Sequence, residues 1–329
     1  MEKIRWGILG CGKIANKFAA DLKLVEGAML MAVASRDAER SKAFADLYGA
    51  PLAFSSYEEM ARSQDVDVIY IATPHGLHHE HAMLCIRHRK AVLCEKAFAL
   101  NSTQVQEMIG AAQQHKVFLM EAFWTKFIPQ YRQVDSIVSS GAIGEIRMVQ
   151  ADFGFLAAEP TPQRFFDPAL GGGALLDIGI YPVFMATSLI GRPTRINALM
   201  NAYPSGVDKQ IAMQFKYDNG ALAVLSASFE AETPVEATIM GSKGFVRMQA
   251  RFHNASSKVE LTLGKEPAQV VDVHTEEGVG YQFEARHVTE CLQQQLIESP
   301  IMKHSDSLLL METLDRIREQ CRITYPADR

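Results

Sequence analysis

The sequence predicts an α/β protein with a Rossmann-type, doubly wound parallel sheet, followed by an α+β domain with an open, mostly antiparallel sheet. Apolar strands alternate with helical patterns over the first 120 residues, which is typical of a parallel sheet covered on both faces. A glycine-rich turn follows the first strand and opens the first helix. Period-two alternation runs through residues 193–263, as in half-buried antiparallel strands.

The first domain is predicted to cover residues 1–124. Its Val-, Ile- and Leu-rich segments predict strands at residues 4–9, 29–34, 66–72 and 91–94. The segments between and after them have helical spacing of apolar residues, at residues 12–23, 37–47, 77–88 and 102–114. Strands and helices in alternation indicate successive strand–helix–strand units.

The second domain is predicted to cover residues 125–329. A helix near residues 128–139 leads to a long strand at 145–156, and short turns join the strands that follow. Two helices close the chain, at about residues 281–298 and 305–322. In the alternating segment 211–217, one set of apolar side chains packs on helices, so the other sheet face needs a polar surface or a partner.

The composition excludes several classes of protein. The chain has 329 residues, 48% apolar and 22% charged, which is enough to bury two cores and rules out disorder. A formal net charge of −5 argues against a nucleic-acid partner. The five cysteines are never spaced Cys-x-x-Cys, which favours a reducing compartment. Because no signal core and no apolar run of about 18–20 residues stands out, we expect a cytoplasmic protein without a membrane partner.

The glycine-rich turn is the run Gly10-Cys11-Gly12-Lys13-Ile14-Ala15. Its first glycine permits a tight turn, its second lets the backbone approach a pyrophosphate, and the small Ala15 lets the helix pack on the strand. Glycines also serve ordinary turns, so the motif alone is weak. Its place in the first strand–helix unit of a parallel sheet predicts a dinucleotide site.

The end of the second predicted strand bears on the choice of nucleotide. An NAD site usually has an acid here to bind the ribose 2′-hydroxyl. This chain has Ser35 and Arg36, with Arg40 one helical turn further, and a hydroxyl beside guanidinium groups suits a 2′-phosphate. Asp37 is the rival ribose ligand, but its position before a helix favours an N-cap. We therefore predict NADP, with NAD as the second choice.

Polar groups follow the ends of two later strands. Ligands of open α/β sheets bind beyond the carboxyl ends of the strands, so these groups are candidate site residues. One is the run Ala72-Thr73-Pro74-His75-Gly76-Leu77-His78, and the other is Glu95-Lys96-Ala97. A lysine beyond a buried strand can be desolvated and tuned for catalysis, although it can also simply extend to solvent. A third polar pair, Asp177 and Tyr181, lies four residues apart in an apolar helical segment after three glycines. That pair is either catalytic or a buried hydrogen-bonded packing pair.

Together these runs, with Glu121-Ala122-Phe123-Trp124, resemble the glucose–fructose oxidoreductase / inositol dehydrogenase (Gfo/Idh/MocA) family. The resemblance covers nearly the whole chain. It is greatest to the branch that contains dimeric dihydrodiol and D-xylose dehydrogenases, because Tyr181 stands where many members have histidine. Two departures are Ala97, where the family usually has proline, and His75, where asparagine is common.

The resemblance implies that Lys96, Asp177 and Tyr181 form the catalytic group. It also implies that Glu95 and Trp124 lie near the nicotinamide and that His78 lines the cofactor cleft. Dimers built sheet to sheet are typical of the branch, so a homodimer through the C-terminal sheet is expected. The Ala97 departure leaves the backbone of the lysine turn open, since a cis bond before a residue other than proline costs about 2.5–4 kcal/mol.

The predicted reaction is reversible hydride transfer between a carbinol carbon, of a sugar or a cyclic trans-diol, and a nicotinamide. A free phenol has a pKa near 10, so Tyr181 needs a neighbouring ammonium to accept a proton at neutral pH. We assign Tyr181 as proton acceptor, Lys96 as its activator and Asp177 as orienter. The reverse assignment, with Lys96 as base held by Asp177, stays open. Trp124 and Phe153 are expected to line the substrate pocket.

The sequence also allows three other hypotheses. The five histidines between residues 75 and 88 suggest a metal site, but no acid stands at a zinc-protease spacing, so no metal is predicted. A glycoside hydrolase that recycles bound NAD occurs in the resembled family, and Ser35-Arg36 and Tyr181 argue against it. A nucleotide-binding sensor without turnover is disfavoured by the complete set of Lys96, Asp177 and Tyr181.

Overall fold

The computed structural model describes residues 3–158 and 160–328, which divide into two compact units. The first unit is Met1–Trp124 with Glu276–Ser307, and the second is Thr125–Thr275 with Leu308–Arg329. The chain therefore passes from one unit to the other at the predicted boundary after Trp124. It also returns: residues 276–307 group with the first unit instead of the predicted second domain. The reason is visible at Asp21, whose carboxylate accepts hydrogen bonds from the N–H groups of residues 279–281 at 2.9–3.2 Å.

The first unit contains a six-stranded parallel sheet in the order β3-β2-β1-β4-β5-β6. Its strands are β1 (Ile4–Leu9), β2 (Ala28–Ala34), β3 (Leu52–Phe54), β4 (Val68–Ile71), β5 (Ala91–Glu95) and β6 (Leu119–Ala122). Its helices are α1 (Lys13–Leu22), α2 (Ala38–Tyr48), α3 (Tyr57–Arg62), α4 (His78–Arg87) and α5 (Ser102–His115). The predicted doubly wound sheet is confirmed, and its strand order reverses between β1 and β4.

Packing explains why these segments form a sheet covered by helices. Strands β4 and β5 are buried along their whole length, as expected for the centre of a parallel sheet. Phe18 of α1 is fully buried, and its ring stacks on Tyr70 of β4 with centroids 3.7 Å apart. This contact holds α1, which starts at the glycine-rich turn, against the strand that precedes the Ala72–His78 run.

The second unit contains an eight-stranded sheet in the order β14-β13-β12-β11-β7-β10-β9-β8. Its strands are β7 (Ile146–Gly154), β8 (Arg195–Ala202), β9 (Asp208–Lys216), β10 (Leu222–Ser228), β11 (Ala237–Gly241), β12 (Gly244–Gln249), β13 (Lys258–Leu263) and β14 (Gln269–Val270). Only the β7–β10 pair is parallel among these pairings, so the predicted mostly antiparallel sheet is confirmed. The later helices of the chain are α6 (Pro129–Ser139), α7 (Ile180–Ile190), α8 (Tyr281–Gln293) and α9 (His304–Cys321).

The two faces of this sheet differ. On β9, Ile211, Met213 and Phe215 are each 1% exposed, whereas Ala212 and Gln214 between them are exposed. Helix α7 packs against β7 and β10 and is buried from Ile180 to Thr187. The apolar face therefore covers the core, and the opposite face is open.

One segment corrects the expectation about apolar runs. Pro168–Ile190 has the length and apolar composition to cross a membrane, the one such helical segment in the described residues. However, 78% of its apolar window is buried inside the protein, as in the core helix of a folded domain. The sequence interpretation overlooked this run because three glycines and Asp177 interrupt it.

Candidate active site

The glycine-rich turn lies between β1 and α1, at the carboxyl edge of the first sheet. Gly10 has φ +98°, and a Cβ there would lie 3.1 Å from the carbonyl oxygen of Ala72, so the fold itself requires this glycine. Gly12 differs: a Cβ there would meet nothing nearer than that same oxygen, at 4.0 Å. The packing of the described chain does not need the second glycine, which fits a position kept small for a ligand.

The N-terminus of α1 is suited to an anion. As far as the described residues show, no side chain caps it and its first turn holds no acid, whereas α2, α3 and α5 are capped by Asp37, Ser56 and Asn101. First-turn N–H groups carry the partial positive charge of the helix, so they can bind a pyrophosphate. Cys11 is buried in this turn, and burial raises the pKa of its thiol to about 11. Lys13 is exposed, Ile14 is half-buried and Ala15 is buried.

At the end of β2, Asp37 caps the N-terminus of helix α2. Its Oδ1 atom accepts hydrogen bonds from the N–H groups of Glu39 at 3.0 Å and Arg40 at 3.2 Å, so the predicted N-cap is confirmed. Ser35 is buried, and Arg36 is exposed and hydrogen-bonded to Tyr57. The other charged side chains at this strand end are the guanidinium groups of Arg36 and Arg40 and the carboxylate of Glu39, all of them exposed.

The run after β4 joins two strand ends. The Nε2 atom of His78 lies 2.7 Å from the carbonyl oxygen of Thr73, and its Nδ1 atom lies 2.7 Å from that of Ala97. His78 is 0% exposed, and burial lowers its pKa to about 4. The ring is enclosed and bridges the loops that contain Thr73 and Ala97, and the expectation that His78 lines the cofactor cleft stays a prediction. Ala72, Thr73 and His75 are half-buried, and Pro74 is exposed.

The lysine turn after β5 is held at three consecutive residues. The Lys96 N–H donates to Glu95 Oε2 at 3.2 Å, and the Ala97 carbonyl pairs with His78. The Phe98 N–H then donates to Glu121 Oε1 at 3.1 Å. The Lys96–Ala97 peptide bond is cis, which answers the question raised by the missing proline. Lys96 itself is half-buried.

Buried acids lie behind this turn within the first unit. Glu95 accepts a hydrogen bond from the hydroxyl of Tyr70, and Glu284 of α8 interacts electrostatically with Glu95. Burial raises the pKa of Glu121 to about 7 and that of Glu284 well above its ordinary value. Burial therefore disfavours the charged form of both carboxyl groups.

Trp124 is positioned by α8. Its ring stacks on Tyr281 with centroids 4.6 Å apart and an angle of 13° between the planes. The Tyr281 N–H is one of the groups bound by Asp21, so the stack is tied to α1. Trp124 is half-buried and so has surface available for a ligand.

The second unit brings together Asp177 and Tyr181. Leu175–Gly179 forms a π-helical turn, not the regular helix predicted, and α7 follows directly with Tyr181 in its first turn. Such turns occur frequently at functional sites. Asp177 pairs with Arg164, whose Nη1 atom lies 3.0 Å from Asp177 Oδ2, and the Asp177 side chain is 15% exposed.

A residue that sequence reasoning missed lies against Tyr181. His253 stacks on Phe153 with ring centroids 4.4 Å apart, and its centroid is 5.0 Å from that of Tyr181. Phe153 and Tyr181 are 5.6 Å apart, so the three rings form one cluster. His253 follows β12 in an irregular segment with no motif, so only the fold reveals it. Phe153 therefore lies beside Tyr181, and its predicted place in the lining of the substrate pocket stays a prediction.

Each unit thus assembles its own set of predicted residues. At the sheet edge of the first unit are Gly10–Ala15, Ser35, Arg36, Ala72–His75, Glu95 and Lys96, with Trp124 beyond β6. The second unit holds Phe153, Asp177 and Tyr181, with Arg164 and His253 added. No group of three or more His, Cys, Asp or Glu side chains in the described part of the chain is arranged to hold a metal ion.

Comparisons with known proteins agree with this arrangement. Residues 4–123 match a family model described as an oxidoreductase family with an NAD-binding Rossmann fold, and residues 131–247 match the GFO/IDH/MocA C-terminal domain. The chain is 37% identical over 331 residues to trans-1,2-dihydrobenzene-1,2-diol dehydrogenase of Xenopus tropicalis, which covers 98% of this chain and 99% of that protein.

Two solved structures are similar along almost the whole chain. An aldose-aldose oxidoreductase from Caulobacter crescentus, complexed with glycerol, has a TM-score of 0.90 at 26% identity, with 98% of both chains covered. A 3-ketoreductase from Actinomadura kijaniata, in complex with NADP and TDP-benzene, has a TM-score of 0.85 at 27% identity, covering 97% of this chain and 98% of that one.

Fold, site and comparisons define an oxidoreductase with an NAD(P)-binding Rossmann domain. More particularly, the chain belongs to the GFO/IDH/MocA family, since both of its domains match and a full-length relative exceeds one-third identity.

Proposed function

We propose that this protein is an NADP-dependent dehydrogenase that oxidises a carbinol of a sugar or a cyclic trans-diol, or reduces the corresponding carbonyl. The observation that carries the proposal is Tyr181, a phenol 7% exposed, in a cluster with two other rings and on the same helical segment as Asp177. The full-length similarity to trans-dihydrodiol dehydrogenases and to an aldose oxidoreductase supports this substrate class.

The residues present fit a bound dinucleotide phosphate. The uncapped N-terminus of α1 would take the pyrophosphate, and Gly12 leaves room for it. Ser35, Arg36 and Arg40 would bind a ribose 2′-phosphate, since Asp37 is occupied as a helix cap. When bound, the nicotinamide supplies the site that accepts or donates the hydride.

The chain's own residues have to hold the carbinol and move its proton. We assign Tyr181 to accept that proton at its phenol oxygen, with the Lys96 ammonium stabilising the phenolate. Asp177 orients the substrate hydroxyl, and Arg164 holds the Asp177 carboxylate. Phe153 and His253 supply a flat wall with a polar edge, which suits a ring that carries hydroxyl groups.

We further propose a homodimer formed through the open face of the eight-stranded sheet, in the cytoplasm. This face is concave, with a volume of about 880 Å³, and Leu199, Val224 and Phe245 line it. Leu199 is 80% exposed, which is unusual for a large apolar side chain on a regular strand. The five free cysteines of the described chain support a reducing compartment.

The test is turnover by the purified protein with NADP⁺ or NAD⁺ and a panel of aldoses, inositols and trans-dihydrodiols, followed at 340 nm. Reduction of NADP⁺ by an aldose or a dihydrodiol is the expected result. Preference for NAD⁺ would overturn the assignment of Ser35 and Arg36. Tight nucleotide binding without reduction by any member of the panel would favour the recycling hydrolase or the sensor.

A further inference from the structure

A buried carboxylate contacts the start of the helical segment that carries Asp177 and Tyr181. Asp208 is the first residue of β9 and is 0% exposed. Its Oδ2 atom accepts a hydrogen bond from the Leu175 N–H at 2.7 Å. Leu175 begins the π-helical turn, so this bond fixes the backbone two residues before Asp177.

The same carboxylate also packs against the glycine turn that precedes the segment and leaves no room for a side chain at residue 173. Gly173 has φ +115°, and a Cβ built on it would overlap Asp208 Oδ1. On the other side, the Tyr325 hydroxyl donates a hydrogen bond to the Gly172 carbonyl at 2.7 Å, and Tyr325 is 1% exposed. Two buried side chains from distant parts of the chain therefore hold residues 172–175 in place.

Stability alone does not account for Asp208. In the part of the chain that the structure describes, no cation pairs with it, and Oδ1 has no hydrogen-bond partner. Burial raises the pKa of the Asp208 carboxyl to about 7, because the charged form is poorly solvated in the protein interior. Well-packed apolar residues commonly serve stability better at such positions. The buried Leu175 N–H needs a hydrogen-bond acceptor, and this is a reason for an oxygen atom at residue 208.

We propose that Asp208 is a positioning residue for the reaction: by accepting from the Leu175 N–H, it sets where Asp177 and Tyr181 lie. The inference rests on the proposed function, because that function assigns these two side chains to the substrate proton. The bond needs an acceptor oxygen and not a charge. A neutral amide at residue 208 can therefore replace the carboxyl.

The experiment compares Asp208→Ala with Asp208→Asn in the full-length protein. We expect Asp208→Ala to lower kcat about 100-fold, because displacement of a reacting group by about 1 Å has an effect of that size. Asp208→Asn should recover most of this loss. The Kd for NADP⁺ should change less than about twofold in both variants, since the predicted phosphate loop lies in the first unit. Activities are expressed per folded enzyme, measured by circular dichroism.

A second pair of variants keeps the test decisive if Asp208→Ala does not fold. Tyr325→Phe removes only the hydrogen bond to Gly172 and should lower kcat about tenfold with little change in the nucleotide Kd. Tyr217→Phe is the matched control: Tyr217 is another buried phenol of the second unit, and its loss should leave kcat unchanged.

The outcomes separate this inference from the proposed function. Absence of turnover by the wild type contradicts the proposed function. If the wild type turns over, then an unchanged kcat in Asp208→Ala overturns the inference, as does equal loss in Asp208→Ala and Asp208→Asn. Should Asp208→Ala not fold, Asp208→Leu takes its place, because leucine fills the buried site without an acceptor oxygen, and an unchanged kcat in Asp208→Leu overturns the inference.

Discussion

At the scale of single residues, the end of β2 shows how a helix cap and a ligand site are kept apart. Asp37 caps the first turn of α2, and one of its carboxylate oxygens accepts from two N–H groups there. Many NAD sites have an acid at this strand end that binds the ribose instead. The proposed preference for NADP rests on this use of Asp37 and on the exposed Arg36 beside it.

Replacement of Arg36 by alanine tests this directly. We expect kcat/KM for NADP⁺ to fall about 10- to 100-fold, because a charge-assisted hydrogen bond contributes about 1.5–3 kcal/mol. The value for NAD⁺ should change about threefold or less, since NAD⁺ lacks the 2′-phosphate. Arg87→Ala is the control, an exposed arginine at the end of α4. Equal losses with both nucleotides would contradict the assignment.

The choice of proton acceptor is also a question about single residues. Tyr181→Phe should lower kcat about 10²- to 10⁴-fold with little effect on the nucleotide Kd, the usual range for loss of a general base. Lys96→Met should also lower kcat, because it removes the charge that stabilises the phenolate. Near-normal turnover by Tyr181→Phe, with activity abolished in Lys96→Met, would show that Lys96 is the base.

The sequence can propose site residues where they stand in recognisable local motifs. Gly10, Lys96 and Asp177 are candidates of this kind, because each lies within such a motif. His253 and Asp208 could not be found in this way. Each contacts a residue far away in the chain, so the contact exists only after the sheet of the second unit has formed.

At the scale of elements, long and strongly patterned segments were predicted well and short ones were not. The strands β1, β2 and β5 and the helices α1, α2, α4 and α5 lie where the sequence indicates. Strand β3 has three residues and α3 has six, too few for periodicity to show. The π-helical turn was predicted as regular helix because its residues are apolar and helix-compatible.

Two elements carry buried acids that make stability depend on pH. Burial raises the pKa of Asp208, on β9, from 3.8 to about 7 and that of Glu121, on β6, from 4.5 to about 7. The folded protein therefore holds protons that the unfolded chain has released. These bound protons stabilise the folded state, and the stabilisation is fully present below about pH 4. As pH rises to about 7 it is lost, and each group then lowers the free energy of unfolding by at most about 1.4 kcal/mol per pH unit.

We accordingly expect Asp208→Asn and Glu121→Gln to gain in stability relative to the wild type as pH rises from 5 to 8. Urea unfolding at several pH values measures this difference. Asp272→Asn, an exposed carboxylate, serves as control and should show no such trend. A constant difference between wild type and both buried-site variants across this range would show that neither carboxyl is protonated in the folded state.

For the molecule as a whole, the open sheet face is the surface that we propose as the dimer interface. Alternation on β9 and β10 puts apolar side chains on the core side, yet Leu199, Val224 and Phe245 remain exposed on the other. Both domain classes could be predicted from sequence periods. The return of residues 276–307 to the first unit could not, because it depends on Asp21 meeting backbone groups about 260 residues away.

The dimer is tested by charging this face. Leu199→Glu combined with Val224→Glu should convert a dimer into a monomer, measured as mass by light scattering at micromolar concentration, because desolvating unpaired like charges opposes association. Leu47→Glu is the control: Leu47 is 66% exposed on α2 of the first unit, and its change should leave the mass unaffected. A monomeric wild type, or a double variant that stays dimeric, would contradict the proposal.

Isotopic labelling shows whether a hydride moves from a substrate carbinol to the nicotinamide. The purified protein is given NADP⁺ and an aldose or trans-dihydrodiol that carries deuterium on the carbinol carbon, and the mass of the recovered nucleotide is measured by mass spectrometry. We expect NADPH that carries the deuterium. Deuterium lost to water, with the nucleotide recovered in its oxidised form, would rule out the proposed hydride transfer and indicate a recycled cofactor.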